Sequence, residues 1–128
     1  MADGRCYPQP GDLIQIQRQF YEHWALYVGK GYVIHVTDEG GPSILSSSSS
    51  ICTSRAKVKK ELLMEVVGNN KWRVNNKYDS SRTPRPVKEI IWFAEHCVDR
   101  EVPYAVITSN CEHFVTMLRY GKGVSDQV

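Results

Sequence analysis

The run His23-Trp24-Ala25-Leu26-Tyr27-Val28, then Gly29-Lys30-Gly31, then Tyr32-Val33-Ile34-His35-Val36 decides how this 128-residue chain folds. Two aromatic and β-branched stretches around a short glycine-containing loop predict a β-hairpin. If the loop is the three residues 29–31, Val28 pairs with Tyr32 and Ala25 with His35. His23 then lies two residues further along the same face, diagonal to His35 at about 7–8 Å. A two-residue loop would instead send the two histidines to opposite faces, so their meeting is conditional on register.

Working outward, Pro8-Gln9-Pro10-Gly11-Asp12 is turn-forming and leads into Leu13-Ile14-Gln15-Ile16, a first strand. Residues 38–54 hold two glycines, a proline and a five-serine run at 46–50, which reads as a flexible surface loop without assigned chemistry. Residues 57–67 fit a helix in part, through Val58, Leu62, Leu63, Val66 and Val67, while 56–60 fits a strand. Both readings stand. Trp72-Arg73-Val74-Asn75 reads as a short strand, and 75–86 as loop. Residues 87–98 follow Pro86 with Ile90, Ile91, Ala94, Cys97 and Val98 at helical spacing, and predict a helix. Pro103 closes the next turn. A second helix covers 111–120 with Phe114, Val115 and Leu118 as its apolar stripe, and Gly121 stops it. Strands come first and helices late, without repeats or a dividing linker. The expected class is therefore α+β, in one domain spanning 1–128.

Composition narrows the function classes. An apolar content of 41% and a charged content of 23% are those of an ordinary globular chain. A formal net charge of +2 is too small to argue for nucleic acid. The basic residues nevertheless cluster, in Arg55-Ala56-Lys57-Val58-Lys59-Lys60 and across Arg82, Arg85 and Lys88. Such clusters are usually a solvated face and otherwise favour anionic surfaces. No run reaches the roughly 18 apolar residues of a membrane span. Cys6, Cys52, Cys97 and Cys111 lie far apart behind a polar start, which favours free thiols in a reducing compartment.

Cys111 has the strongest claim to chemistry. Thr108, Ser109 and Asn110 are all N-cap types, and with Ser109 as cap Glu112 completes a capping box. Cys111 then sits in the first turn, where free N–H groups and the macrodipole favour a thiolate and can receive an oxyanion. A buried, inert cysteine at a helix start is the plainer alternative. His23 and His35, if on one face, can act as base and orienter for that thiol. Their plainer reading is a strand-start polar residue and a half-buried, satisfied histidine. His113 shares the helix of Cys111 but points elsewhere, and His96 is exposed or packing. A rival reading joins His23, His35, Cys111 and possibly His113 as zinc ligands, although no pair has ligand-loop spacing.

Several blocks together resemble one family: Gly11-Asp12-Leu13-Ile14, His23-Trp24-Ala25-Leu26-Tyr27, Gly31-Tyr32-Val33-Ile34-His35, Val74-Asn75-Asn76-Lys77, Asn110-Cys111-Glu112-His113-Phe114-Val115 and Leu118-Arg119-Tyr120-Gly121. They are similar to the phospholipase A/acyltransferase family, in the lecithin:retinol-acyltransferase-like branch of the NlpC-type thiol hydrolases. The resemblance implies a permuted papain-like α+β domain, with an antiparallel sheet carrying the histidines packed on a helix whose N-terminus carries the cysteine. It implies Cys111 as nucleophile, His23 as general base and acid, and His35 as the group orienting His23, with no cofactor and no metal. The implied reaction is phospholipase A1/A2 and acyl-transfer chemistry on glycerophospholipids. Phosphatidylcholine would be the donor, and water, the phosphatidylethanolamine amine or a lysophospholipid the acceptor. A monomer acting at a membrane surface is expected, cytoplasmic and peripheral on intracellular membranes. The family usually continues into a C-terminal hydrophobic anchor, and this chain stops at Ser125-Asp126-Gln127-Val128, so a truncated catalytic domain or a soluble variant is expected. The competing functions are a non-catalytic membrane- or protein-binding module and a thiol amidase of the same fold.

Overall fold

The computed structural model describes residues 7–38, 55–103 and 107–121. Within them, six strands form one antiparallel sheet: β1 (Leu13–Gln17), β2 (Glu22–Gly29), β3 (Tyr32–Asp38), β4 (Arg55–Leu62), β5 (Trp72–Val74) and β6 (Glu101–Pro103). Their spatial order is β5-β1-β2-β3-β4-β6. Three helices accompany the sheet: α1 (Leu63–Val67), α2 (Val87–Cys97) and α3 (Ile107–Tyr120). The mixed α+β class expected from the sequence is what the chain adopts. The serine run at 46–50, with Cys6 and Cys52, lies outside the described residues.

The ambiguous stretch 57–67 resolves into both readings, a strand to Leu62 and then a one-turn helix from Leu63. Alternation explains the strand: Ala56 and Val58 are buried, while Lys57, Lys59 and Glu61 take the other parity. Two findings were not expected. Lys77–Ser80 is a 3-10 turn within the anticipated loop, and Glu101–Pro103 pairs with β4 as an edge strand.

Apolar residues fill two clusters. Leu13, Trp24, Leu26, Ile34, Val36, Ala56 and Val58 pack with Ile90 and Ala94 of α2 and with Cys111, Val115 and Leu118 of α3. Ile14, Ile16, Ala25 and Val33 pack with Leu63 and Val67 of α1. Because β1 contributes to both, it reads as a nearly continuous buried run rather than an alternating one.

Helix α3 begins four residues earlier than the sequence suggested. In the sequence Ile107, Cys111, Val115 and Leu118 recur at i, i+4, i+8 and i+11, a helical period that starts one turn before Cys111. Cys111 is therefore the fifth helical residue, in the second turn, and Ser109 lies inside the helix rather than at its cap. Glu112 instead accepts from the Tyr78 hydroxyl at 3.0 Å and pairs with Lys77 at 3.2 Å, tying α3 to the 3-10 turn. At the other end Gly121 adopts φ +83°, and its N–H donates to the Met117 carbonyl at 2.8 Å. That is the left-handed stop a glycine makes without strain.

Candidate active site

The hairpin reaches the expected register by an unexpected route. Gly29 pairs with Tyr32, leaving the two-residue loop Lys30-Gly31, with Lys30 at φ +57° and Gly31 at φ +87°. A β-bulge between Tyr27 and Gly29 absorbs one extra residue, after which Tyr27 pairs with Val33 and Leu26 with Ile34. The bulge shifts the strand by the one residue that the shorter loop removed. His23 and His35 accordingly share a face, although the loop alone would have separated them.

Both histidines are buried, at 5% and 4% exposure, and they touch: His23 Nε2 lies 2.8 Å from His35 Nδ1, with the rings edge-on at 5.0 Å. Helix α3, packed on β2 and β3 through Val115 and Leu118, brings the buried Cys111 to them. Its Sγ lies 3.1 Å from His23 Nδ1. The thiol and two imidazoles thus stand in series, each ring using one nitrogen on either side.

Burial pushes the His23 pKa down to about 3, with the neighbouring His35 and Arg18 lowering it further. The ring is neutral at physiological pH and able to accept a proton. Burial lowers His35 too, opposed by the hydrogen bond and charge of Glu61; Arg18 and Lys59 add to the lowering.

Glu61 is the residue that sequence reasoning missed. Its Oε1 lies 2.9 Å from His35 Nε2, on the side of the ring away from His23. In the β3–β4 register His35 faces Lys59, which puts Glu61 diagonally beside it. The alternation Lys57, Lys59, Glu61 carried the signal, but only once β4 is paired with β3.

The other candidates fall elsewhere. His96 is exposed, stacks on Trp92 at 3.8 Å and uses Nδ1 on the Trp92 carbonyl at 2.9 Å. His113 sits half-buried two residues beyond Cys111 on α3. Among the described residues, no group of three or more His, Cys, Asp or Glu side chains is arranged to hold a metal ion. His23 already spends both nitrogens on Cys111 and His35, so these residues do not converge on one point as zinc ligands would. The start of α3 also changes the expected electrostatics. The free N–H groups of its first turn all precede Cys111, so the macrodipole acts on Cys111 only from the second turn, where it has weakened.

Comparison with known proteins places these residues in a family. The model for "Lecithin retinol acyltransferase" matches residues 6–124. The chain belongs to the lecithin retinol acyltransferase family. Phospholipase A and acyltransferase 1 of Rattus norvegicus is 52% identical over 121 residues, covering 94% of this chain and 72% of the relative. Phospholipase A and acyltransferase 3 of Homo sapiens is 50% identical over 127 residues, covering 94% and 76%. Phospholipase A and acyltransferase 2 of Homo sapiens is 48% identical over 134 residues, covering 100% and 80%. The resemblance to phospholipase A and acyltransferase proteins read from the sequence blocks is thus correct over nearly the whole chain. Some of the family-like blocks have structural work: Asn76 accepts from the Leu13 N–H at 2.8 Å and donates to Asp12 at 3.1 Å, clamping β1 beside the 3-10 turn.

Proposed function

We propose that this protein is a cysteine-dependent phospholipase A1/A2 and phospholipid acyltransferase, with Cys111 as nucleophile, His23 as general base and acid, and His35 orienting His23. The observation that carries the reading is the 3.1 Å contact from Cys111 Sγ to His23 Nδ1, continued at 2.8 Å to His35. A family whose relatives are named phospholipase A and acyltransferase supplies the substrate class.

The geometry supports the following chemistry. His23 Nδ1 takes the thiol proton as Sγ attacks the carbonyl of a glycerophospholipid ester. The tetrahedral intermediate collapses, the carbon–oxygen bond breaks, and the glycerol oxygen leaves with the proton from His23. The acyl group remains on Cys111 as a thioester. Water, the amine of phosphatidylethanolamine or the hydroxyl of a lysophospholipid then gives its proton to His23 and attacks the thioester. Sγ leaves and is reprotonated. Burial of Cys111 and His23 keeps bulk water from the thioester and so favours transfer over hydrolysis.

This reading includes a permuted papain-like, NlpC-type arrangement over residues 1–128, acting as a monomer. It is supported by a cysteine-bearing helix packed on the two strands that carry the histidines. Peripheral action on intracellular membranes belongs to the same proposal. Neither Cys97 nor Cys111 is in a disulfide, as a reducing compartment favours. Val87, Trp92 and Phe93 are exposed on α2, with the Arg85 guanidinium 4.7 Å over the Phe93 ring and Lys88 on the same helix. Aromatic side chains beside cations suit an anionic lipid interface. Among the described residues, no helix is long and apolar enough to cross a membrane.

The test is intact-protein mass spectrometry after incubation with phosphatidylcholine, followed by peptide mapping. A fatty-acyl adduct on Cys111 is expected, with none in Cys111→Ala and no acyl release by that variant. Turnover by Cys111→Ala at the wild-type rate would overturn the proposal. Turnover of peptide amides in preference to phospholipid would replace the lipid by an amide substrate.

A further inference from the structure

The series Cys111–His23–His35 does not end at His35. Each link in it is a hydrogen bond whose direction depends on which ring nitrogen holds the proton. His23 Nδ1 can accept the thiol proton only if the His23 proton sits on Nε2. Nε2–H then donates to His35 Nδ1, which must be a lone pair, so the His35 proton must sit on Nε2 as well. The opposite arrangement is equally continuous between the two rings. His35 Nδ1–H would donate to His23 Nε2 and force the His23 proton onto Nδ1, facing the sulfur, where it cannot act as a base. Nothing within the pair of imidazoles selects between the two.

We propose that Glu61 makes the selection: it is a positioning residue that fixes the tautomers of His35 and His23 and so keeps the basic nitrogen of His23 aimed at Cys111. The inference rests on the cysteine-histidine reading above, which it extends by one member. A carboxylate only accepts, and Glu61 Oε1 is 2.9 Å from His35 Nε2, so it holds the proton at that nitrogen. From there the order is forced: His35 Nε2–H to Glu61, His23 Nε2–H to His35, thiol to His23. When His23 takes the thiol proton, the carboxylate also lies at the far end of the imidazole pair, where its charge stabilises the imidazolium. It is the counter-charge in an otherwise unfavourable setting, since Arg18 and Lys59 both act against protonation. The Glu61 side chain is itself 43% exposed on β4, so replacing it opens no core cavity.

The tautomers are directly observable in long-range proton–nitrogen spectra of the imidazoles, and the thiol in the pH profile of Cys111 alkylation by iodoacetamide, mapped by mass spectrometry. The wild type is expected to hold both histidines as Nε2–H. Glu61→Gln keeps an accepting amide oxygen and should preserve those tautomers, with alkylation at pH 7 reduced less than about threefold. Glu61→Ala should give mixed tautomers on both rings and alkylation slowed about tenfold, with kcat for phosphatidylcholine falling in parallel and KM unchanged. Glu61→Lys presents a donor instead and should invert both rings, an outcome that a merely structural role does not produce. Wild-type tautomers and an unchanged alkylation profile in Glu61→Ala and Glu61→Lys would overturn the assignment. If the tautomers and thiol respond as described but no acyl adduct forms with phospholipid, the lipid reaction falls while the role of Glu61 stands.

Discussion

Arg119 grips Asp79 with two hydrogen bonds, Nη2 to Oδ2 at 2.8 Å and Nε to Oδ1 at 3.1 Å, while its Nη1 reaches the Gly11 carbonyl at 2.7 Å. The Tyr120 hydroxyl adds a third bond to Asp79 at 2.6 Å. Burial, then the Asp79 bond, push the Tyr120 pKa up to about 12. One carboxylate thus ties the C-terminal half of α3 to the 3-10 turn and, through Arg119, to the entrance of β1. That linkage sets how far along the sheet α3 can slide, and therefore where Cys111 rests.

Asp79→Ala should destabilise the domain by about 2 kcal/mol, because Arg119 keeps a nearly buried charge without its carboxylate. Urea denaturation gives the measurement. A midpoint unchanged from wild type would mean that the linkage contributes nothing. Asp79→Asn, which retains an acceptor, should fall between the two.

Stability should fall with acid well before carboxylates titrate. His23 stays neutral in the fold down to about pH 3, whereas in the unfolded chain it takes a proton near 6.5. Between those values the unfolded state binds more protons, so stability rises with pH and is lost as pH drops through 6.5. From pH 7.5 to pH 5 this one group costs about 2 kcal/mol. His35 is shifted in the same direction. Urea midpoints at the two pH values report the loss, and His23→Gln should shrink it. A variant as acid-sensitive as wild type would assign the effect to other groups.

Replacing both Trp92 and Phe93 by Ser should weaken binding to vesicles containing anionic lipid by about tenfold, without loss of folding, since both rings are exposed. Vesicle sedimentation at two salt concentrations checks this. Equal binding by the variant would place the lipid contact elsewhere.

How much of this was legible in the sequence varies by element, for physical reasons. The hairpin and α2 were readable because their side-chain periods are strong and bounded by Gly29-Lys30-Gly31 and by Pro86. The stretch 57–67 was not, because a strand passing directly into a single helical turn mixes both periods within eleven residues. The start of α3 was misplaced since Thr108, Ser109 and Asn110 are good caps in isolation, while the apolar period in the sequence already begins at Ile107. Cys111, His23 and His35 carried sequence signals and are brought together by geometry. Glu61 carried a signal only in the alternation of Lys57, Lys59 and Glu61, and its partner depends on the β3–β4 register, a long-range pairing that local periodicity does not give. Substrate class was never in the periodicity; it came from the family.

The bulge at Val28 gives the hairpin an arithmetic of its own. The loop and the bulge each miscount by one residue, and only their sum returns the histidines to a common face. Deleting Val28 should thus behave as a frameshift in space. Every residue from His23 to Tyr27 would keep its identity but exchange inside for outside relative to β3, and alkylation of Cys111 should lose its dependence on His23. A further deletion or insertion in Lys30-Gly31 should restore the frame. Length in this hairpin is inherited in pairs, so a neighbour's error is what makes each departure tolerable.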